Sequence, residues 1–368
     1  MTTPPVLVHL VEPAAWRAAL TEGALRPPSL ADAGFVHLSA PEHVHRPAGR
    51  LFPGRRDLVL LVVDPARLEA PVRWEPGTAE DPPDLRFPHL YGPLPTSAVV
   101  AVVPWRPPVP PVLPAPDDAF GRAQALQTSL QVRRAAEVRD VPGGVAVADP
   151  RFSHSRDDNT VVLTTQVDAA TVARTTAAVA AELDWPVAAA ALRWPGAGPV
   201  AAELAADGWE ATELVVMARE AAPLPGGDAA EVVDQRALHA LWDRSWRRGL
   251  PPLPELDEVV AQLIGREHRT GTVVAVHDVA VRAAGRPVAA GQLRVDGATA
   301  AVEAMMTEPA ARGRGHADAV LARLVSLAAG AGCDLVVLEA DAEDWPRHWY
   351  ACRGFRVVGS VWEVVATR

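Results

Sequence analysis

Short apolar runs, each closed by Pro, Gly or Asp on at least one side, mark strands in the first hundred residues: 6–11, 35–38, 58–63 and 98–103. One helix, over 13–20, sets Trp16 and Leu20 on one face at i, i+4. Beyond residue 118 the pattern lengthens. It predicts a helix over 119–136, strands at 144–148 and 160–164, a helix over 169–183, a buried strand near 187–192, a short helix after Gly198 and a strand at 212–217. A broadly similar order follows: helix 235–247, strands 271–276, 288–295 and 300–307, helix 316–329, strand 334–340, helix 346–352 and strand 355–365. The repeated order points to an old tandem duplication, although residue similarity between the halves is faint.

Two breaks divide the chain. Residues 105–118 read WRPPVPPVLPAPDD, which cannot form a helix and predicts an extended, semi-rigid spacer. Residues 223–227 (PLPGG) form a weaker break of turn-formers. The division is therefore 1–106, a Pro-rich linker 107–118, a middle unit 119–221 and a C-terminal unit 222–368. The fold class is α+β and multidomain, a small α+β domain followed by two α/β units.

Composition narrows the function classes. A chain of 368 residues, 49% apolar, is too long for one ordinary core and has ample material for two or three. The formal charge of −10 argues against nucleic acid as the main partner, because phosphate affinity needs clustered cations. No apolar run approaches the roughly 18 residues of a membrane span. The N-terminus shows no basic stretch before an apolar one, so no signal peptide is expected and a cytoplasmic location is. Cys333 and Cys352 make neither a disulfide framework nor a zinc site, and no metal is expected.

The chemistry concentrates between residues 300 and 332. An alternating strand runs into Glu308 and Pro309, then Arg312-Gly313-Arg314-Gly315-His316-Ala317, then a helix with apolar Val320, Leu321, Leu324, Val325 and Ala328. A Gly-rich turn at a helix N-terminus presents unpaired N–H groups and the positive end of the helix dipole, an anion site. Arg312 and Arg314 add positive charge, and the glycines allow close approach. No Gly-Lys-Ser/Thr follows, so this is not a Walker loop, and the glycine spacing is not that of a dinucleotide site.

Arg312, Gly315 and Ala317 match the Arg/Gln-x-x-Gly-x-Gly/Ala fingerprint, and Tyr350 with Gly354-Phe355 matches a Tyr-x-x-x-Gly-Phe ending. On these residues the chain from about Glu231 onward resembles the GNAT N-acetyltransferase family. The resemblance implies acetyl-CoA as co-substrate, its pyrophosphate on 312–317, its pantetheine along Met305, Met306 and Thr307, and Tyr350 as general acid to the leaving thiolate. It also implies direct transfer to an amine of a small molecule or peptide. Glu303 is the candidate base, placed by alternation on the face of Met305; a solvated strand Glu is the competing reading. The family often has Asn at the position of Asp344, a possible cofactor contact that a helix N-cap would equally explain. The middle unit resembles a degenerate GNAT-like repeat without the Gly-rich turn. Its polar stretch 152–159 is a candidate for facing the acceptor, or an ordinary surface loop.

In the first hundred residues, His9, His37, Ser39 and His89 sit on or beside short strands and could share a cleft, with Glu75 as the acidic candidate. Imidazoles and a hydroxyl suit ribose hydroxyls or a carboxamide, so NAD or another nucleotide is the ligand considered. Val8-His9-Leu10, the 34–39 stretch GFVHLS and the 86–94 stretch RFPHLYGPL are similar to the bacterial domain of unknown function 952, grouped by fold with ADP-ribosyltransferases. Three functions stay open: an N-acetyltransferase, an acetyl-CoA sensor without chemistry, and an NAD-linked transferase in the N-terminal domain. Oligomeric state is open too, since a tandem GNAT can satisfy its pairing internally as a monomer.

Overall fold

The computed structural model describes residues 5–78 and 81–366. The fully apolar run 58–63 and its neighbours pair as a central antiparallel sheet of β1 (Leu7–Val11), β2 (Leu58–Val63) and β3 (Val99–Trp105), with β2 in the middle. All six β2 side chains are buried, which is why this strand lacks alternation. Helix α1 (Pro13–Glu22) starts on a proline, ends on Gly23 in the left-handed region, and buries Trp16 completely. A smaller sheet of Val36–His37, Arg86–Leu90 and Val72–Pro76 stands beside it; its last two strands escaped the sequence reading.

Helix α2 (Ala119–Arg134) follows, capped by Asp118, whose carboxylate accepts from the Gly121 amide at 2.8 Å. Next come β4 (Glu137–Val141), β5 (Gly144–Ala148), β6 (Thr160–Leu163), helix α3 (Ala169–Glu182), β7 (Ala189–Leu192), helix α4 (Gly198–Ala206) and β8 (Trp209–Glu220). The C-terminal part adds β9 (Glu231–Val233), helices α5 (His239–Gly249) and α6 (Leu256–Gly265), β10 (Ala275–Ala283), β11 (Arg286–Asp296) and β12 (Thr299–Thr307). Helix α7 (His316–Gly330), β13 (Leu335–Asp341), helix α8 (Pro346–Ala351) and β14 (Arg356–Ala366) complete it. The strand expected at 271–276 is displaced: a 3-10 segment occupies Arg266–Thr272 and β10 starts at Ala275.

All eleven strands from β4 on join one sheet in the order β9-β10-β11-β12-β13-β8-β14-β7-β6-β5-β4. The halves therefore interleave. Strand β8, last of the middle segment, lies between β13 and β14, and β14 bonds β7 of the middle segment. The 221/222 boundary falls just after β8 in sequence and separates nothing in space. Helix α7 covers one face of the β10–β12 region through Val320, Leu321, Leu324 and Val325, and α2 covers the opposite face of the sheet over β12, β13, β8 and β14 through Ala119, Ala123 and Leu126.

The Pro-rich segment does not hold the domains apart. Leu113 packs beside the N-terminal core, and α2 is pressed between β3 and the large sheet. Polar contacts lock the docking. Trp16 Nε1 donates to Asp296 Oδ1 at 2.7 Å, Arg133 pairs with the same carboxylate, and Thr299 Oγ1 donates to the Val100 carbonyl at 2.8 Å. Gly297 sits where a Cβ would stand 2.3 Å from the Val99 carbonyl oxygen, so only glycine permits this approach. Among the described residues no helix is long and apolar enough to cross a membrane.

Asp296 is 2% exposed, so removing its carboxylate leaves Arg133 buried without its counter-charge. Asp296→Ala is expected to destabilise the full chain by about 3–5 kcal/mol, read by urea denaturation; a loss under about 1 kcal/mol would mean the docking contact is dispensable.

Candidate functional site

Strand β12 leaves its neighbour part-way along. It pairs in parallel with β13 only at Thr299, Ala300 and Ala301, and the two strands then diverge. On its other side the pairing with β11 slips: Gln292 faces Glu303 and Ala290 faces Met306, so Ala304 and Met305 together oppose Gly291. Ala304 takes up the extra residue at φ +51°. A Cβ on Gly291 would lie 2.4 Å from Met305 Sδ, which explains the glycine opposite the bulge.

The bulge resets side-chain parity. Met305 packs against the α7 side of the sheet, whereas Glu303 points to α2 and accepts from Gln127 Nε2 at 2.7 Å. The expectation that Glu303 and Met305 share a face is thus corrected, because alternation fails across a two-for-one bulge. Burial raises the Glu303 carboxyl above the usual range, against the pull of Arg294.

Beside the bulge opens a cavity of about 520 Å³. Its lining includes Met305, Met306, Thr307, Arg312, Gly313, Gly315, His316, Ala317 and Tyr350, nine of the positions expected from sequence. Gly315 is the N-cap of α7 at φ +77° and Gly313 stands at φ +72°; neither has an atom within 4 Å of a built Cβ, so the turn faces open space. The first-turn amides of α7 have no intrahelical acceptor. Tyr350 is 8% exposed, edge-on to Trp349 and Phe355. Burial, then the Glu303 charge, push its phenol well above the usual range, so it keeps its proton at neutral pH. Arg353 ties α8 to α7 by pairing with Asp318 while donating to the Trp349 carbonyl at 2.7 Å.

Three expected positions fall outside that lining. Arg314 is exposed on the turn. Asp344 is exposed and accepts the Trp345 amide at 2.7 Å, but Trp345 is the N-cap of α8 and no side chain caps that helix, so Asp344 neither lines the cavity nor caps the helix. Glu303 sits on the α2 side, as above. Residues missed from sequence are Leu241, Arg244, Ser245 and Arg248, one face of α5, and Trp345 and Trp349. The 241/245/248 spacing was the available signal. Arg244 donates to buried Glu308 at 2.7 Å, fixing α5 against the end of β12.

A second cavity, about 650 Å³, opens in the N-terminal domain and brings His9, His37 and Ser39 together. The His9 Nδ1 lies 2.7 Å from the His37 carbonyl, which can only accept, so that nitrogen carries the proton and Nε2 is an acceptor. Burial pulls both imidazoles below their ordinary range. His89 and Glu75 do not line the cavity. His89 stacks on Phe35 (4.0 Å) and meets His37 edge-on (5.1 Å), and its Nδ1 is 2.8 Å from Glu75 Oε2. They form a polar support behind His37, with Tyr91 donating to Glu75 at 2.9 Å. The His89 bond, then Tyr91, hold Glu75 below the usual carboxylate range.

Two family models match the two parts of the chain that hold these cavities. Residues 10–102 match the family "Protein of unknown function (DUF952)", and residues 236–355 match the "Acetyltransferase (GNAT) family". The chain carries a DUF952 segment and a GNAT segment. Over the DUF952 segment, protein CC0527 of Caulobacter crescentus is 36% identical, covering 27% of this chain and 84% of its own, with a TM-score of 0.24. A functionally unknown conserved protein from Staphylococcus epidermidis shares the fold at 11% identity and TM-score 0.51, over 63% of this chain and 94% of its own. A GCN5-related N-acetyltransferase from Kribbella flavida aligns at 18% identity and TM-score 0.47, over 68% and 96%. A search of curated proteins finds no match.

The DUF952 cavity carries a direct prediction. In a pH titration followed by histidine NMR, His9 is expected to ionise below about 6.5, its unperturbed value. A midpoint at or above that value would show an imidazole open to solvent.

Proposed function

We propose that the chain is an acetyl-CoA-dependent N-acetyltransferase that transfers directly, in a ternary complex, to a primary amine of a small molecule or peptide. The observation that carries this is one cavity uniting the open turn of α7, the bulged free edge of β12 and a protonated, buried Tyr350. The donor set fits the co-substrate: glycines at 313 and 315 leave the cradle open, Arg312 stands beside it, and the free amides suit a diphosphate. Bound there, acetyl-CoA supplies an activated thioester carbonyl.

The chain's own groups then divide the work. Amides along 305–307 orient the pantetheine and support the developing oxyanion. Glu303, held by Gln127 and with a raised affinity for protons, accepts a proton from the ammonium form of the acceptor. Tyr350 gives its proton to the departing thiolate. A pure acetyl-CoA sensor would have no use for that phenol. We read the segment 119–221 as a GNAT-like half without a phosphate turn, acting as scaffold. The DUF952 cavity, with neutral His9 and His37 beside Ser39, suits an uncharged ring or ribose, as in NAD or another nucleotide.

Calorimetric titration with acetyl-CoA is expected to show one site per chain at roughly micromolar affinity, about −8 kcal/mol. Gly315→Asp, which puts a carboxylate into the cradle, is expected to abolish it; retained binding would remove the turn from the site. Tyr350→Phe is expected to lower kcat about 10²-fold with acetyl-CoA affinity unchanged. Because burial raises the Glu303 carboxyl, kcat/KM is expected to fall as pH drops through a pKa above the ordinary ~4.3. That acid limb disappears in Glu303→Gln; an identical limb in the variant would assign the proton to another group.

A further inference from the structure

The N-terminal cavity of about 650 Å³ runs along a strand edge that the fold leaves unused. Strand β1 gives one edge to β2 without a break in register. On the other edge it makes a single bridge, Val8 to Ser39, in which each amide donates to the other residue's carbonyl at 2.9 Å. Backbone groups alternate in direction along a strand, so two places after Val8 the next N–H and C=O pair also points outward. That residue is Leu10. Its N–H and C=O have no partner on this edge among the described residues, and Leu10 lines the cavity together with Val8 and Glu12. Buried main-chain groups are nearly always paired, so an open pair in a cavity wall marks the place of a partner.

The open edge is too short for a peptide strand. Val8 is already bonded to Ser39, and Val11 turns its pair toward β2 by the same alternation. The Glu12 carbonyl accepts the Trp16 amide, and Pro13 follows. What remains is one donor and one acceptor side by side, which match a single amide edge. A second polar group stands next to them. Ser39 is 5% exposed, lines the cavity, and its hydroxyl has no partner among the described residues. His9, between Val8 and Leu10, donates from Nδ1 to the His37 carbonyl and so keeps Nε2 as an acceptor. The other walls are largely apolar, with Ala15 and Ala18 of α1 facing Leu25, Val44 and Phe52. The charged residues of the lining, Glu12, Glu22 and Arg26, are all exposed, so no carboxylate or guanidinium is enclosed with a ligand.

We infer that this cavity binds a neutral ring carrying a primary carboxamide, whose carbonyl takes the Leu10 N–H and whose own N–H donates to the Leu10 carbonyl. The inference rests on the reading of the cavity as a site for an uncharged ring, and it names the group that is recognised. The Ser39 hydroxyl donates to the second lone pair of the same ligand carbonyl. The His9 Nε2 is left to accept from a hydroxyl or N–H elsewhere on the ligand. A carboxylate in place of the carboxamide sets a negative oxygen against the Leu10 carbonyl. A ketone leaves that carbonyl unpaired, and a site built from paired polar groups rejects an analogue that lacks one of them.

The test uses the full chain and three nearly isosteric rings: benzamide, acetophenone and benzoate. Affinity is read by ligand-observed NMR titration, and the Leu10 amide by its hydrogen-exchange rate with and without each ligand. Benzamide is expected to bind at least about tenfold more tightly than either of the others. It is also expected to slow exchange of the Leu10 amide at least about tenfold, because that N–H gains a partner. Ser39→Ala is expected to weaken benzamide about threefold to tenfold while acetyl-CoA affinity stays unchanged. Equal affinity for benzamide and acetophenone overturns the inference and leaves the cavity as a site for uncharged rings. Benzamide bound with Leu10 exchange unaltered does the same. Tightest binding of benzoate overturns both, since a charged ring is then preferred. Absence of binding by all three defeats the ring-site reading together with the inference.

Discussion

Helix α2 has almost no side facing water, and the rest of the molecule is arranged around that fact. Twelve of its sixteen residues are buried, among them Arg122, Gln124, Gln127, Gln131 and Arg134. Enclosing a helix so rich in polar side chains is costly unless they find partners; its arginines all do, whereas Gln124 Nε2, Thr128 Oγ1, Ser129 Oγ and Gln131 Oε1 do not. The partners come from everywhere: Arg122 reaches Asp334 and Thr299, Arg133 reaches Asp296, Arg134 reaches Asp158, and Gln127 reaches Glu303. One element thereby sets the position of the DUF952 sheet, the β11–β12 turn and the 152–159 stretch at once.

That constraint separates what could be read in the sequence from what could not. Strands such as 58–63 and 144–148 and helices 13–22, 169–182 and 316–330 were visible because their cause is local: run length, caps and apolar spacing. The phosphate turn and Tyr350 were visible because a motif states its chemistry in consecutive residues. Helix α6 was legible in principle, since Leu256, Val259, Val260 and Leu263 hold a 3.6 period behind a proline-rich lead-in. The strand exchange was not legible, because β8 has the same alternation whichever neighbour it bonds. Nor was the parity change at Ala304, where one residue in the left-handed region moves Met305 off the face of Glu303.

The Pro-rich stretch shows how local and global causes compete. Its composition does exclude a helix. Its role as a spacer fails because Val6, Val62, Val100 and Val103 present an apolar surface that Ala125 and Ala298 cover. Burial of that surface outweighs the stiffness of a dozen residues, and the linker bends back to bring α2 under β3. Likewise His89 and Glu75 were sound candidates by residue type. Placed behind His37, they orient and shield an imidazole and do not line the cavity beside it.

The exchanged strands bear on how such a chain can change over time. The segment running from β4 to β8 has no glycine turn for a diphosphate, and a part without its own ligand site is ordinarily free to be lost. Here it lends β8 to the middle of the neighbouring half's sheet and receives β14 in return. Deleting it would open a gap between β13 and β14, directly behind Tyr350. The segment without a cradle is therefore tied in by mechanical dependence, and losing it would undo the sheet that carries the phosphate turn.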